Sequence, residues 1–331
     1  MLTTGWAFAD SRVIIDRSGN EISAAKPFTR IISLYGAHTE NLFALGLDQE
    51  IIGVGGNETY PPEAIEKPVF SYHDDAEKFL AACPDLVLIR PMIALGYQGL
   101  VDKLKRGGIL VVSLQPRGVN EMYDYWKVLG RLAGKEREAE QMVERFEAGL
   151  AAARSTVETI PATRRKRVYF EAIHSKMKTF APNSMAVFVL EAAGGLNVAG
   201  DAVSVRGTNI AAYGKERILA QGDRIDVYLA QTGTMNSVTL ARIRKETGFM
   251  AIKAVRNNNV YFVDEQIVCR PTLRLLHGIY EIGRILYPER FGGWPNAQDT
   301  KERQFQNVHF CSRSRKAKII TAGILEVFRG L

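Results

Sequence analysis

The sequence predicts an α/β protein with two Rossmann-like lobes, each built on a parallel sheet, joined by one long rigid helix. Two series of short apolar runs alternate with helix-like segments, and a long amphipathic segment separates the two series. The chain has 331 residues, 46% hydrophobic and 24% charged, which is enough for two domains with separate cores. No run of eighteen apolar residues occurs, so the sequence predicts no membrane-spanning helix.

The first series defines an N-terminal lobe over residues 10–134. A β-hairpin is predicted at 13–15 and 21–22, with its turn at Ser18, Gly19 and Asn20. The apolar runs that follow are unbroken rather than alternating, as expected of parallel strands covered on both faces; they are 31–34, 51–54, 86–89 and 109–112. Helix-like apolar spacing occurs between them at 38–45, 76–82 and 99–105.

The second series defines a C-terminal lobe over residues 161–290. Its predicted strands are 168–170, 227–230 and 260–263, and its predicted helices are 184–193, 215–221 and 273–286. The connecting segment, 135–160, has apolar side chains from Ala139 to Val157 at i, i+3, i+4 and i+7 spacing. A helix over 135–159 would be roughly 37 Å long at 1.5 Å per residue. We expect the carboxyl ends of both sheets to face a ligand cleft between the lobes.

The distribution of charge and the sequences at the two ends of the chain each bear on the function. The net charge is +7, but Lys and Arg are scattered among 36 acidic residues, which argues against nucleic-acid binding and favours an anionic ligand. Ala7-Phe8-Ala9 has the form of a signal-peptidase site, so residues 1–9 are interpreted as the possible remnant of a truncated signal peptide; a chance match in a disordered N-terminus is the alternative. Residues 291–331 form a C-terminal extension with no functional interpretation.

Several segments, taken in order, resemble one family. The segment RIISLYGAHTENLFALG at 30–46 closely resembles the opening strand, loop and helix of the periplasmic substrate-binding proteins of ABC importers for iron–siderophores, haem and vitamin B12. Further similarity occurs at CPDLVL (83–88), LEAAGGLNV (190–198), ERILA (216–220) and Arg270-Pro271. Because these motifs follow the family order over roughly residues 12–290, they are far more specific together than singly.

The resemblance implies a monomeric periplasmic receptor, not an enzyme, that carries no cofactor or metal ion of its own. It implies binding of a metal chelate, namely an iron–siderophore, haem or corrinoid, and delivery to an ABC permease dimer in the cytoplasmic membrane, driven by a separate ATPase. In proteins of this type, one surface glutamate per lobe pairs with permease arginines. The matching positions are Glu77 and Glu216.

Loop positions after the predicted strands supply candidate ligand contacts. In the N-terminal lobe these are Tyr35 and His38 after the first strand, and Arg90 and Tyr97 after the third. Tyr35 is suited to stack on an aromatic ligand or to cover the sheet. An arginine directly after an apolar strand would be costly unless it faced the ligand or a carboxylate, which favours a binding role for Arg90. His38, at a helix start, favours a structural role over a metal-ligating one.

The C-terminal lobe supplies further candidates after its strands. They are Glu171, His174, Lys176, Arg206, Tyr213 and Arg270. Glu171 and His174 have E-x-x-H spacing, and Lys176 and Lys178 are suited to line one face of an extended loop. Cys269 could act as a soft axial ligand, although an unreactive buried thiol is more common.

Two alternatives remain open at this point. The first is an oxyanion receptor, for a molybdate- or tungstate-like anion, that uses Arg90, Arg206 and Arg270. The second is an enzyme such as a tetrapyrrole chelatase, in which Glu171 and His174 would move protons and metal. A dinucleotide site is disfavoured, because the third glycine of the G-x-G-x-x-G pattern that starts at Gly53 would fall on Glu58.

Overall fold

The computed structural model describes residues 14–23, 26–205 and 207–292, and these form two compact units. Among these residues, the N lobe contains those from 14 to 116 together with 120–143, and the C lobe contains 117–119 together with those from 144 to 292. The two-lobe α/β prediction is confirmed. The possible signal remnant at 1–9 and the extension from 293 onward lie outside the described residues.

The N lobe begins with the predicted hairpin. Its strands, β1 (Ile14–Ile15) and β2 (Glu21–Ile22), pair antiparallel. The buried carboxylate of Asp16 closes the turn by accepting the backbone N–H groups of Ser18 and Asn20 at 2.8 Å. The same carboxylate accepts the Ser113 N–H at 3.1 Å, and the Arg17 N–H donates to the Ser113 carbonyl at 2.8 Å. The hairpin is therefore fastened to a distant part of its lobe.

A five-stranded, wholly parallel sheet forms the centre of the N lobe. Its strands are β3 (Ile31–Ser33), β4 (Ile51–Gly55), β5 (Val69–Phe70), β6 (Leu86–Ile89) and β7 (Leu110–Ser113), in the spatial order β5-β4-β3-β6-β7. Four were predicted from their apolar runs. The two-residue edge strand β5 was not, because two residues carry no periodicity.

Helices complete the N lobe. They are α1 (Gly36–Ala44), α2 (Pro62–Ile65), α3 (Ala76–Ala82), α4 (Pro91–Gly96), α5 (Gln98–Arg106) and α6 (Val119–Ala133). α1, α3 and α5 correspond to the predicted helices. α4 lies in a segment for which the sequence predicts only loop positions, although Pro91 at its first position is a favoured helix start.

The long helix α7 (Glu136–Glu158) confirms the predicted helix over 135–159 to within one residue at each end. Its apolar stripe is buried, from Ala139 at 0% exposed to Val157 at 7% exposed. Residues of α7 up to Val143 belong to the N lobe and those from Glu144 to the C lobe.

The C lobe contains a mixed sheet, which corrects the prediction of a parallel one. Its strands are β8 (Arg167–Ile173), β9 (Lys178–Phe180), β10 (Leu196–Asn197), β11 (Val203–Ser204), β12 (Ile210–Ala212), β13 (Val227–Thr232) and β14 (Val260–Asp264). β10, β8, β13 and β14 are parallel, whereas β9, β12 and β11 extend the sheet antiparallel. A short turn that ends at Met177, whose φ is 46°, reverses the chain between β8 and β9.

The remaining helices cover the C-lobe sheet. They are α8 (Met185–Ala192), α9 (Lys215–Ala220), α10 (Leu240–Lys245), α11 (Lys253–Arg256), α12 (Glu265–Cys269), α13 (Leu275–Leu286) and α14 (Pro288–Phe291). Three match predicted helices: α8, α9 and α13. In the described part of the chain, no helix combines the length and apolar character needed to cross a bilayer.

Candidate functional site

The strand order of the N lobe reverses between β3 and β6, and two predicted site residues meet at this point. Open parallel sheets commonly bind ligands at the carboxyl ends of the strands that flank such a reversal. Tyr35 follows β3 as the N-cap residue of α1, and Arg90 follows β6 as the N-cap residue of α4. The guanidinium carbon of Arg90 lies 4.7 Å from the ring centroid of Tyr35, within the range of a cation–π contact. Both side chains are half-buried.

An aromatic cluster of Tyr72, His73 and Tyr97 lies at the same carboxyl edge of the sheet. The Tyr72 ring centroid is 4.6 Å from that of Tyr97 and 4.5 Å from that of His73. Nε2 of His73 lies 3.4 Å from the Tyr97 hydroxyl. Tyr97 was predicted, but Tyr72 and His73 were missed because they follow β5, the strand too short to recognise. The cluster adds ring faces and an exposed imidazole to the cation of Arg90.

Apolar surface accompanies these rings. Met92 and Leu95, both on α4 between Arg90 and Tyr97, are 46% and 76% exposed. This edge of the N lobe therefore combines one arginine, several aromatic faces and uncovered aliphatic side chains. Such a mixture suits a large ligand that is partly apolar and partly anionic.

His38 has a structural position, which contradicts its prediction as a ligand contact. Its side chain is fully buried, with Nδ1 2.6 Å from the Tyr125 hydroxyl and Nε2 3.2 Å from the Ile89 carbonyl oxygen. Burial disfavours the imidazolium and, with a smaller effect from the nearby charge of Arg90, lowers the pKa of His38 to about 3. A neutral imidazole with both nitrogens engaged fastens α1 to α6 and is not available to a ligand.

Glu171 and His174 are also internal. Oε2 of Glu171 lies 2.7 Å from Nδ1 of His174 and accepts the hydroxyl of Tyr228, while its Oε1 accepts Nδ2 of Asn236 at 3.1 Å. Glu171 is 1% exposed and His174 is 2% exposed. The E-x-x-H spacing does bring the two side chains together, across the end of β8 rather than on a helix. Their burial within the C lobe contradicts the prediction that they contact a ligand.

Tyr213 belongs to the C-lobe core, which contradicts its predicted ligand contact. Its side chain is 7% exposed, its hydroxyl donates to the Val198 carbonyl at 3.2 Å, and its ring packs under Arg217. Arg206 lies outside the described residues.

Lys176 and Arg270 retain positions compatible with ligand contact. Lys176 is exposed in the turn after β8, but Lys178 begins β9, so the two lysines do not share an extended loop as predicted. Arg270 follows α12 and is half-buried. Sγ of Cys269 lies 3.2 Å from Oε1 of Gln231, and burial raises the pKa of this thiol, which opposes formation of the metal-binding thiolate.

The two predicted docking glutamates occupy equivalent positions. Glu77 is the second residue of α3 in the N lobe, and Glu216 is the second residue of α9 in the C lobe. Both are exposed. Each carboxylate also lies at the N-terminal, positive end of its helix dipole. A role confined to stabilising the helix would therefore place a glutamate there as well. Among the residues that the structure describes, no cluster of three or more His, Cys, Asp or Glu side chains is arranged to hold a metal ion.

Comparison with known proteins identifies the relatives of this chain. A family model described as "Periplasmic binding protein" matches residues 31–267. An uncharacterized ABC transporter substrate-binding lipoprotein, YvrC, from Bacillus subtilis is 28% identical over 288 residues, which cover 84% of this chain and 86% of the relative. The vitamin B12-binding protein of Vibrio cholerae is 24% identical over 263 residues, covering 78% and 90%. A solved structure from Staphylococcus epidermidis, described as a possible iron-binding periplasmic solute-binding protein, is 26% identical and has a TM-score of 0.68, covering 79% of this chain and 100% of that one.

Proposed function

The chain belongs to the periplasmic binding protein family, and we propose that it is the extracytoplasmic substrate-binding component of an ABC importer for a metal chelate. The ligand is an iron–siderophore, haem or corrinoid, which the protein delivers to a permease dimer in the cytoplasmic membrane with its ATPase. Relatives named for ABC transport and for vitamin B12 binding support this function, as do the side chains at the carboxyl edge of the N-lobe sheet.

The Arg90–Tyr35 pair is the observation that carries the proposal. It places a cation and an aromatic face together at the reversal of strand order, where a ligand with anionic substituents and an extended π-system or chelate ring would gain from both. Tyr72 and Tyr97 add ring faces at the same edge. A large chelate fits this edge better than a bare oxyanion does, because an oxyanion makes no use of ring faces or of exposed aliphatic side chains.

The proposed ligand contacts are consequently fewer than the sequence alone suggested. In the N lobe we propose Tyr35, Arg90 and Tyr97, together with Tyr72 and His73. In the C lobe Lys176 and Arg270 remain proposed contacts, and Arg206 is kept as a candidate from the sequence. The burial of Glu171 and His174 gives no support to a chelatase-like enzyme, since neither side chain is open to a substrate.

Glu77 and Glu216 are proposed to dock the protein on its permease. Their matched positions, exposed at the start of one short helix in each lobe, would give a two-subunit permease one acidic contact per subunit. Exposed ion pairs contribute only about 0.2–1 kcal/mol each, so these contacts would set register more than affinity.

The first experiment is an absorption spectrum of the protein as purified, followed by fluorescence titration with haemin, cyanocobalamin, a ferric hydroxamate and molybdate. Saturable one-to-one binding of a chelate, without product formation, is the expected result. Arg90→Ala is expected to weaken that binding, and Arg106→Ala, which removes an exposed arginine of the same lobe, is the control. Binding of molybdate alone would instead favour the oxyanion receptor, and steady-state turnover would favour an enzyme.

A further inference from the structure

A pocket lies in the C lobe at the end of the sheet opposite the carboxyl ends of its parallel strands. It has a volume of about 460 Å³ and is lined where the chain enters β8 and β13, by residues that include Lys166 and Asp226. The C-terminal end of α13 and the short helix α14 complete its wall. Its volume is within the range of about 300–1,000 Å³ typical of small-molecule sites.

Four cationic side chains line this pocket: Arg164, Arg165, Lys166 and Arg290. Within the ranges that the structure describes, none of the four forms an ion pair with a carboxylate. The lining includes two carboxylates, Asp226 and Glu289. Both carboxylate oxygens of Asp226 already have partners outside this set of cations. Oδ1 lies 2.6 Å from Nζ of Lys253, and Oδ2 accepts the Arg167 N–H at 3.0 Å. The pocket therefore carries an excess of positive charge.

One donor in the pocket lacks an acceptor. Nε of Arg165 is buried and has no hydrogen-bond partner among the described residues. A buried donor without a partner is costly, and most such groups in folded proteins are satisfied. Arg165, which lines the pocket, therefore has hydrogen-bonding capacity that the described residues leave unused.

Tyr287, which lines the pocket, forms hydrogen bonds to the backbone at two places. Its hydroxyl accepts the Lys166 N–H at 2.9 Å and donates to the Gly194 carbonyl at 2.9 Å. Apolar side chains, among them Ile160 and Leu286, form the buried part of the wall. Tyr287 thus ties the backbone at Lys166 to that at Gly194, and the pocket offers apolar contacts beside its cations.

We propose that this pocket binds a small organic phosphate, with Arg164, Arg165 and Arg290 contacting the phosphate oxygens and the apolar wall contacting the ester group. The planar guanidinium matches phosphate geometry and forms charge-assisted hydrogen bonds to it. The phosphate ester is either a soluble metabolite or the headgroup of a phospholipid. Lys176 and Arg270, the proposed chelate contacts in this lobe, are not among the residues that line this pocket.

The test compares a soluble probe with a membrane probe. Glycerol 3-phosphate and inorganic phosphate are titrated by calorimetry, and flotation is measured with vesicles of phosphatidylglycerol and of phosphatidylcholine. The pocket variants are Arg165→Gln, which keeps a polar side chain in place of the half-buried arginine, and the exposed pair Arg164→Ala/Arg290→Ala. The control, Arg242→Ala/Lys245→Ala, removes two exposed charges from the same lobe outside the pocket.

We expect one phosphate ester to bind, and each pocket variant to weaken that binding about tenfold or more while the control leaves it unchanged. Binding of glycerol 3-phosphate identifies a soluble ligand, and binding confined to phosphatidylglycerol vesicles identifies a lipid headgroup. Absence of binding in both arms overturns the proposal, and so does an equal loss in the pocket and control variants. Thermal unfolding of each variant establishes that a loss of binding does not come from a loss of folding.

Discussion

Nδ1 of His38 lies 2.6 Å from the hydroxyl of Tyr125, so a buried neutral imidazole joins α1 to α6 inside the N lobe. Burial lowers the pKa of His38 from 6.5 to about 3 in the folded protein. Between these two values the unfolded chain binds a proton that the folded chain does not. The stability that depends on neutral His38 is therefore present above pH 6.5 and is lost as the pH falls towards 3.

We expect the free energy of unfolding to fall by up to about 1.4 kcal/mol per pH unit through this window from His38 alone. His38→Gln should lower stability at pH 7 and flatten the slope, because the titrating group is gone. Urea unfolding at pH 7, 6, 5 and 4 measures both effects. His73→Gln, which removes an exposed imidazole, is the control; equal slopes in the two variants would contradict this role for His38.

Arg90 and Tyr35 should behave as a coupled pair in ligand binding. Arg90→Ala and Tyr35→Ala are each expected to weaken chelate binding about tenfold, because each removes a contact to the ligand worth about 1–2 kcal/mol, the range of a partly desolvated cation–π contact. The double variant should lose less than the sum of the two, and a double-mutant cycle by fluorescence titration measures the difference. Full additivity would show that the two side chains act independently.

The aromatic cluster should contribute to ligand affinity through its ring faces. Tyr97→Leu keeps the apolar volume but removes the ring, and we expect about fivefold weaker binding of the chelate. Tyr97→Phe should retain most of the affinity. Tyr261→Leu, a change at a partly exposed tyrosine on β14, is the control, and unchanged affinity in Tyr97→Leu would remove the cluster from the site.

The buried contacts of Glu171 should matter for stability rather than for binding. Tyr228→Phe removes the hydroxyl that donates to Oε2, and Asn236→Ala removes the donor to Oε1. Each change leaves a buried carboxylate oxygen short of a partner, so we expect a loss of about 2–3 kcal/mol in urea unfolding. Chelate affinity should be unchanged. If either variant bound the chelate more weakly while its stability was unchanged, Glu171 and His174 would belong to the ligand site.

Substitution of both docking glutamates should separate binding from transport. In Glu77→Ala/Glu216→Ala, we expect unchanged chelate affinity and impaired uptake by vesicles that contain the permease and its ATPase. Glu63→Ala is a matched control, because Glu63 is likewise the exposed second residue of a short helix. Uptake at the unsubstituted rate by the double variant would show that these residues do not dock the protein.

Strands and helices with strong periodic signals could be predicted from the sequence, whereas short elements could not. The four apolar runs of the N lobe and the stripe of α7 each bury many side chains and therefore impose a recognisable pattern. β5, β9 and β11 have only two or three residues, too few to show a periodic pattern in the sequence. The antiparallel half of the C-lobe sheet was missed for this reason.

Sequence spacing could place residues near a strand end, but it could not decide which way their side chains face. Arg90 and Tyr35 follow buried strands directly, so a shared sheet edge could be expected. His38 lies on α1, the helix after β3, and Glu171 lies within β8, and their side chains turn inward to Tyr125 and Tyr228. Which of two polar side chains faces inward depends on hydrogen-bond partners 57 to 87 residues away, and spacing alone does not contain that information.

The contact between the first hairpin and the end of β7 limits the order in which parts of the N lobe can fold. Asp16 and its partner Ser113 are 97 residues apart, and the strand that ends at Ser113 is an edge of the sheet. During synthesis the hairpin emerges before the sheet of its lobe, but the amide that its carboxylate must accept emerges only after four of the five strands. Such distant pairings are slow to close and gain nothing until the intervening chain is in place. The hairpin therefore leaves the ribosome before the sheet, yet it can form its contact with the sheet only after the edge strand β7 has been made.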